Sequence, residues 1–164
     1  MADVYLGLGS NLGDREAMLR GALDAIDALP GTSLAESSPI YETEPMGPQD
    51  QGAYMNMAAK ITTSLLPSAL IASLQQIEAG LGRVAVEHRR HWGPREIDID
   101  VLLFDNAVID EPGLTVPHPG LHQRWFVLKP LSDLAPHALH PLLGRSIAAL
   151  LAEVDEPAWQ ETQA

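Results

Sequence analysis

Short extended runs alternate along this chain with two amphipathic helical stripes, and that alternation constrains its folding more than any single motif does. Residues 4–9 form a brief apolar run ending in glycine, after which Met18, Leu19, Ala22, Leu23 and Ile26 recur at helical spacing. Pro30-Gly31 stops this helix, because proline cannot continue the hydrogen-bond ladder and glycine tolerates the reversal. Residues 32–43 read as a second strand, and residues 44–52, EPMGPQDQG, as an irregular loop that could cover a site. Residues 54–63 follow period two, with Tyr54, Asn56 and Ala58 on one face and Met55, Met57, Ala59 and Ile61 on the other. Pro67 suits a first helical turn, and Leu70, Leu74, Ile77 and Leu81 mark a second helix that closes near Gly80 and Gly82. Residues 96–104 alternate as a strand, Asp105-Asn106 suits a tight reversal, and residues 107–110 are expected to be its hairpin partner. Beyond the proline-punctuated LTVPHPGLHQR, one helix is expected to begin near Pro119 and another to centre on residues 147–151.

Composition narrows the class. A chain of 164 residues, 46% of them hydrophobic, encloses one core more comfortably than two, so a single domain over residues 1–164 is expected, with the last eight or so residues frayed. Ten Lys plus Arg against 22 Asp plus Glu give a formal charge of -12, which repels a polyanion and disfavours nucleic acid as a partner. There is no cysteine, hence no disulfide and no thiolate metal site. No apolar run approaches the ~20 residues that span a bilayer, and the start of the chain lacks the pattern of a secretion signal. The expectation is a cytoplasmic monomer whose partners are small molecules.

The residues with the most chemical content are Asp98 and Asp100. Alternation within a strand sends both carboxylates to one face with Cα atoms roughly 6.6 Å apart. Hard oxygen donors so placed suit Mg²⁺, which keeps several waters and completes its shell with substrate phosphates, so ATP is the natural third party. A bare D-x-D on a half-buried strand is more often just solvated, but here a basic segment precedes it. Residues 83–95, RVAVEHRRHWGPR, hold Arg83, Arg89, Arg90 and Arg95, four of the chain's ten basic residues. Phosphate plus metal needs both signs of charge in one place. Gln75 and Glu78, three apart on the second helix, share a face beside its apolar stripe and could look toward a ligand.

Gly7, Gly9 and Gly13 miss the dinucleotide fingerprint by one residue, and no P-loop follows. The modest reading of Gly9-Ser10-Asn11 is a strand end and helix cap. His118, between Pro117 and Pro119 and six residues before Arg124, could present an anion site, although a lone histidine is more often structural; the six histidines are not read as a zinc set. Tyr54, Trp92 and Phe126 are the aromatics suited to stack on a flat heterocycle.

Taken in order, Gly9-Ser10-Asn11-Leu12, Tyr41-x-Thr43 with the 47–51 segment GPQDQ, Tyr54-x-Asn56, Gly82-Arg83, Trp92-Gly93-Pro94-Arg95 with Asp98-x-Asp100, and Thr115-Val116-Pro117-His118 with Arg124 resemble the 6-hydroxymethyl-7,8-dihydropterin pyrophosphokinases of folate biosynthesis. The likeness runs from about residue 4 to about residue 135, and W-G-P-R-x-I-D-I-D is its most specific stretch. It implies a ferredoxin-like α+β domain, with helices packed on a mainly antiparallel sheet. It also implies attack of the pterin's hydroxymethyl oxygen on the β-phosphorus of ATP, with AMP expelled. In that family pattern Asp98 and Asp100 hold two Mg²⁺ ions, Arg83 and Arg95 stabilise phosphate oxygens, and Asp100 could also accept a proton, although a metal-bound carboxylate is a weak base. Tyr54 and Phe126 would sandwich the pterin, Asn56 and the backbone near Thr43 and Met46 would read its polar edge, and Trp92 would close over it. Gln75, Glu78, Trp92, Val101, Thr115, His118 and Arg124 match positions around ATP.

Three departures stand out: a basic loop two residues longer than in a common form of the family, Pro119 in place of a tyrosine, and Gly113 in place of an arginine. By the resemblance, the last two each take away a side chain that could contact ATP. The residues by themselves leave open another Mg²⁺-dependent phospho- or nucleotidyltransferase, a nucleotide-binding module without turnover, and a plain acidic interaction domain.

Overall fold

The computed structural model describes residues 1–10, 14–43, 54–82 and 97–161. Its order is β1 (Ala2–Ser10), α1 (Arg15–Asp27), β2 (Thr32–Ser37), β3 (Tyr41–Thr43), β4 (Tyr54–Thr63), α2 (Pro67–Gly82), β5 (Asp98–Phe104), β6 (Ile109–Glu111), β7 (Leu114–Val116), α3 (Trp125–Leu134), α4 (Ile147–Leu151) and β8 (Trp159–Glu161). Six strands form one sheet in the order β5-β1-β4-β3-β8, with β2 also paired to β4. Every pairing in it is antiparallel. The unit β1-α1-β2-β4-α2-β5 with spatial order β5-β1-β4-β2 is the ferredoxin-like α+β arrangement that the resemblance implies.

Alternation along the strands gives the sheet two different faces. Val4, Leu6 and Leu8 of β1, and Met55, Met57, Ala59 and Ile61 of β4, point to one side and pack with Leu19 and Ile26 of α1 and Leu70 and Leu74 of α2. This is the division of β4 that its period predicts. The other side is covered by α3 and α4, whose Leu128, Leu131, Ile147 and Leu150 meet Leu102 and Leu103 of β5. Adjacent residues reach the same side because β5 carries one extra residue opposite the Tyr5/Leu6 step. The bulge flips the alternation, so Val101 and Phe104 still join the first core while Leu102 and Leu103 join the second.

Several expected boundaries move, each for a local reason. The single strand expected over 32–43 is two strands, because Pro39 has no N–H to offer. Ser38 bridges the break: its N–H donates to Ala58 O, its hydroxyl accepts from Ala58 N–H, and each contact is 2.8 Å. The cap of α1 is Asp14, whose carboxylate accepts from Ala17 N–H at 3.1 Å, whereas Ser10 ends β1. The reversal at Asp105-Asn106 forms, with Asp105 N–H donating to Asp3 O and its carboxylate accepting from Asp3 N–H. Residues 107–110, however, do not pair back onto β5. β6 instead pairs with β7, Glu111 opposite Leu114, around Pro112-Gly113. Gly113 takes φ +80°, so proline then positive-φ glycine make a two-residue reversal that outcompetes the expected hairpin.

No α-helix begins at Pro119. Residues 119–120 turn, with Leu121 N–H donating to His118 O, a single 3-10 turn covers Leu121–Gln123, and extended Arg124 resets the backbone before α3. Within the last eight residues, Trp159–Glu161 pair with β3 as a short strand.

Candidate active site

The side of the sheet that carries α3 is also the side on which β1 places Gly7 and Gly9. In register, Asp98 of β5 stands opposite Gly9, which stands opposite Asn56 of β4, which stands opposite Tyr41 of β3. One row along, Asp100 stands opposite Gly7 and Gly7 opposite Ala58. Small residues thus leave a trough between the two carboxylates and α3. A Cβ on Gly9 would lie 2.9 Å from Asn56 Oδ1, and one on Gly7 would lie 3.3 Å from both Leu102 methyls. Bare backbone is therefore what keeps the floor open.

Above this floor lies a cavity of about 920 Å³ walled by β4, β5, the segment from His118 to Val127, and residues 153–157. Thr43, Tyr54, Asn56, Asp98, Asp100, His118, Arg124 and Phe126 all line it. Tyr54 enters from the start of β4 and Phe126 from the first turn of α3, so the two rings named for stacking border the same space. Asn56 is 8% exposed, and among the described residues its Nδ2 has no hydrogen-bond partner. Such a buried donor costs about 1–3 kcal/mol unless something pairs with it, which makes the cavity a place for a ligand acceptor.

A second cavity of about 390 Å³ lies on the other flank of β5, between α2 and the β6-β7 hairpin. Gln75, Glu78, Val101, Thr115 and His118 line it, together with Gly113 and Pro119, the two positions that depart from the family pattern. Gly113 meets the backbone demand of the hairpin reversal and brings no side chain to this wall. Glu78 is already engaged, its Oε2 accepting from Ile99 N–H at 3.0 Å, which ties α2 to the strand that carries the acids. Val101 is 5% exposed with its side chain in the first core, so it has little beyond main chain to offer.

Three residues belong to both cavities: Asp98, Asp100 and His118. His118 is fixed at two points. Its N–H donates to Leu102 O at 3.1 Å, and its Nδ1 accepts from Gly120 N–H at 3.1 Å. An Nδ1 that accepts leaves Nε2 to carry the proton of the neutral ring, and Nε2 lies 3.8 Å from Asp100 Oδ2. His118 and His122 do stand four residues apart, a spacing that on an α-helix would aim two imidazoles at one metal. Here the intervening backbone is a turn and a 3-10 step, and His122 instead meets His140 edge-on with ring centroids 6.0 Å apart. Among the described residues no group of three His, Cys, Asp or Glu is arranged to hold a metal by itself. Two carboxylates at the rim shared by two cavities fit a different kind of ion, one that brings waters and takes its remaining ligands from a bound phosphate chain.

Arg83, Trp92, Arg95 and Met46 lie outside the described residues, as do the expected covering loop at 44–52 and the basic segment at 83–95. Sequence reasoning passed over Gly7, Trp125 and the 153–157 segment as parts of the site. For Gly7 and Gly9 the signal was present: glycine at every second position of L-G-L-G means a strand with one bare face.

The family model of 7,8-dihydro-6-hydroxymethylpterin-pyrophosphokinase matches residues 5–136. The chain belongs to this family. It is 43% identical over 155 residues to a 2-amino-4-hydroxy-6-hydroxymethyldihydropteridine pyrophosphokinase of Methylorubrum extorquens, covering 94% of this chain and 95% of that one. Its identity to the enzyme of the same name from Pseudomonas aeruginosa is 45% over 149 residues, covering 91% and 90% of the two chains. Among solved structures, wild-type Plasmodium falciparum HPPK-DHPS superposes with a TM-score of 0.75 at 16% identity, over 93% of this chain and 43% of that chain. The chain thus spans less than half of that solved protein, and the likeness at this identity speaks to the fold alone.

Proposed function

We propose that the protein transfers pyrophosphate from ATP to the hydroxymethyl group of 6-hydroxymethyl-7,8-dihydropterin, giving AMP and the pterin diphosphate, a step of folate biosynthesis. The observation that carries this reading is the place of Asp98 and Asp100 on a rim that two cavities share. Family membership and the relatives' names support it. The larger cavity, with its glycine floor, Tyr54, Phe126 and an Asn56 donor that is unpaired among the described residues, suits a flat ring with a polar edge. The smaller one, between Gln75, Glu78, Thr115 and His118, takes the nucleotide.

In this reading the pterin lies on the trough with its hydroxymethyl oxygen directed toward the acid rim. The triphosphate extends from the α2 side to the same rim. The new bond forms between that oxygen and the β-phosphorus as the hydroxyl proton passes to water, while the bond from the β-phosphorus to the oxygen bridging it to the α-phosphate breaks and AMP leaves with the electron pair. Asp98 and Asp100 are the ligands for two Mg²⁺ ions, whose charge, when they are bound, offsets that of the triphosphate. The chain's own contribution is placement. The Ile99 N–H bond to Glu78 and the Leu102 O bond to His118 hold β5, α2 and the His118 turn in one frame. An in-line transfer depends mainly on such positioning. Arg124, its guanidinium lying against Gly120, lines the larger cavity as a cation for phosphate oxygens, and by the family pattern Arg83 and Arg95 would serve the same charge.

The chain acts as one pterin pyrophosphokinase domain and as a cytoplasmic monomer. The charge of -12 supports small molecules over nucleic acid as partners, and among the described residues no helix is long and apolar enough to cross a membrane. Identifying the nucleotide product tests the reaction: protein, Mg²⁺, ATP and the reduced hydroxymethylpterin should yield AMP. ADP would overturn the pyrophosphoryl assignment, and ATP binding without any AMP would make the chain a binding module.

A further inference from the structure

The larger cavity has a wall that belongs to none of the family's motifs. After α4 the chain turns at Ala152, runs through Glu153, Val154, Asp155 and Pro157 along the cavity, and ends as β8 against the free edge of β3. We propose that this C-terminal segment is a structural wall of the pterin cavity, and that Trp159 is the positioning residue that pins it there.

The pinning is specific. Trp159 stands opposite Thr43 in the β8-β3 register, and Thr43 itself lines the cavity. Its indole lies 5.1 Å from the Tyr41 ring and 5.3 Å from the Trp125 ring, and Trp125 also lines the cavity. Its Nε1–H donates to Glu156 Oε1 at 2.6 Å, which draws the preceding residues of the segment toward the same point. Gln160 Nε2 donates to Glu42 Oε2 at 3.2 Å, and Glu42 in turn pairs with Arg15 at 3.1 Å. At the far end Arg145 forms an ion pair with Glu153. Val154, between these anchors, packs against the α3-α4 core. A short edge strand of three exposed residues has little reason to hold its place by burial alone. The aromatic contacts of Trp159 supply what its backbone pairing does not. Removing them frees the wall and the neighbouring edge at Thr43 without touching Asp98 or Asp100.

This inference rests on the pterin reading of the cavity, so binding and turnover are measured separately. Full-length wild type, Trp159→Ala, Trp159→Phe and Val154→Ala are titrated with the hydroxymethylpterin in the absence of ATP, and then assayed for AMP. Trp159→Ala is expected to weaken pterin binding about 10-fold and to raise the pterin KM in parallel, with kcat and the ATP KM within about 2-fold of wild type. Trp159→Phe should retain most of the affinity. Val154→Ala, which shortens the wall and leaves its anchor in place, should weaken pterin binding and not ATP binding, and it decides the matter if Trp159→Ala does not fold. Unchanged pterin affinity in Trp159→Ala and Val154→Ala, or equal losses for both substrates, would overturn the wall. A wild type that binds the pterin and makes no AMP would overturn the reaction and leave the wall standing.

Discussion

At the scale of single residues, the site is defined as much by what is missing as by what is present. Gly9 sits between Asp98 and Asn56 in the sheet register, and its lack of a Cβ is what lets the Asn56 amide occupy that ground. Gly9→Val should therefore displace Asn56 and fill the trough. The expected result is at least a 10-fold loss of pterin affinity, with folding stability lowered by no more than about 1–3 kcal/mol, read by ligand titration beside a thermal melt. ATP affinity should change little, because the smaller cavity lies across β5. The acid pair was legible from sequence because strand alternation leaves two aspartates at i and i+2 no choice of face. The glycine pair carried the same information in the same form and was read instead as a strand end. The role of His118 needed coordinates: only the bond from Gly120 N–H to its Nδ1 says which nitrogen faces Asp100.

At the scale of elements, periodic segments were readable and junctions were not. α1, α2, β1 and β4 follow directly from their apolar spacing, since each must bury one face. The β6-β7 hairpin was misassigned because Asp105-Asn106 and Pro112-Gly113 are both competent turns, and their competition is decided by which flanking strands pair. The 3-10 step before α3 was invisible for a similar reason, as prolines at 117 and 119 mark a break without fixing where regular structure resumes. The connection between α3 and α4 offers a test through pH. His140 is 4% exposed, and its Nδ1 accepts from Leu142 and Leu143 N–H, each at 3.2 Å. Burial, with a smaller push from His122, holds its pKa below the ordinary histidine value near 6.5. Below that value the unfolded chain binds a proton that the folded chain refuses, so stability present above it is lost as the pH falls. The thermal midpoint of the wild type should drop between pH 7 and pH 5, and His140→Gln should flatten that drop. An equal drop in the variant would remove His140 as its source.

At the scale of the whole molecule, the described residues form a sheet with one dry face and one divided face, which lets a well-packed core stand beside a trough. Among the described residues, the α1-α2 side holds most of the core, while the α3-α4 side is only partly covered, leaving the trough between α3 and β5. The β5 bulge lets one strand serve both sides, with Val101 and Phe104 in one core, Leu102 and Leu103 in the other, and two carboxylates at the open end. A molecule with net charge -12 repels a triphosphate unless cations collect where it binds, and in the proposed reading Asp98 and Asp100 are the groups that collect them. The most direct measurement is calorimetric titration of wild type, Asp98→Ala and Asp100→Ala with a non-hydrolysable ATP analogue, with and without Mg²⁺. If the two carboxylates hold the metal, the wild type binds in a Mg²⁺-dependent manner, each variant loses roughly 10-fold or more in affinity, and thermal midpoints stay within a few degrees of wild type. Mg²⁺-dependent binding that survives undiminished in both folded variants would contradict that role.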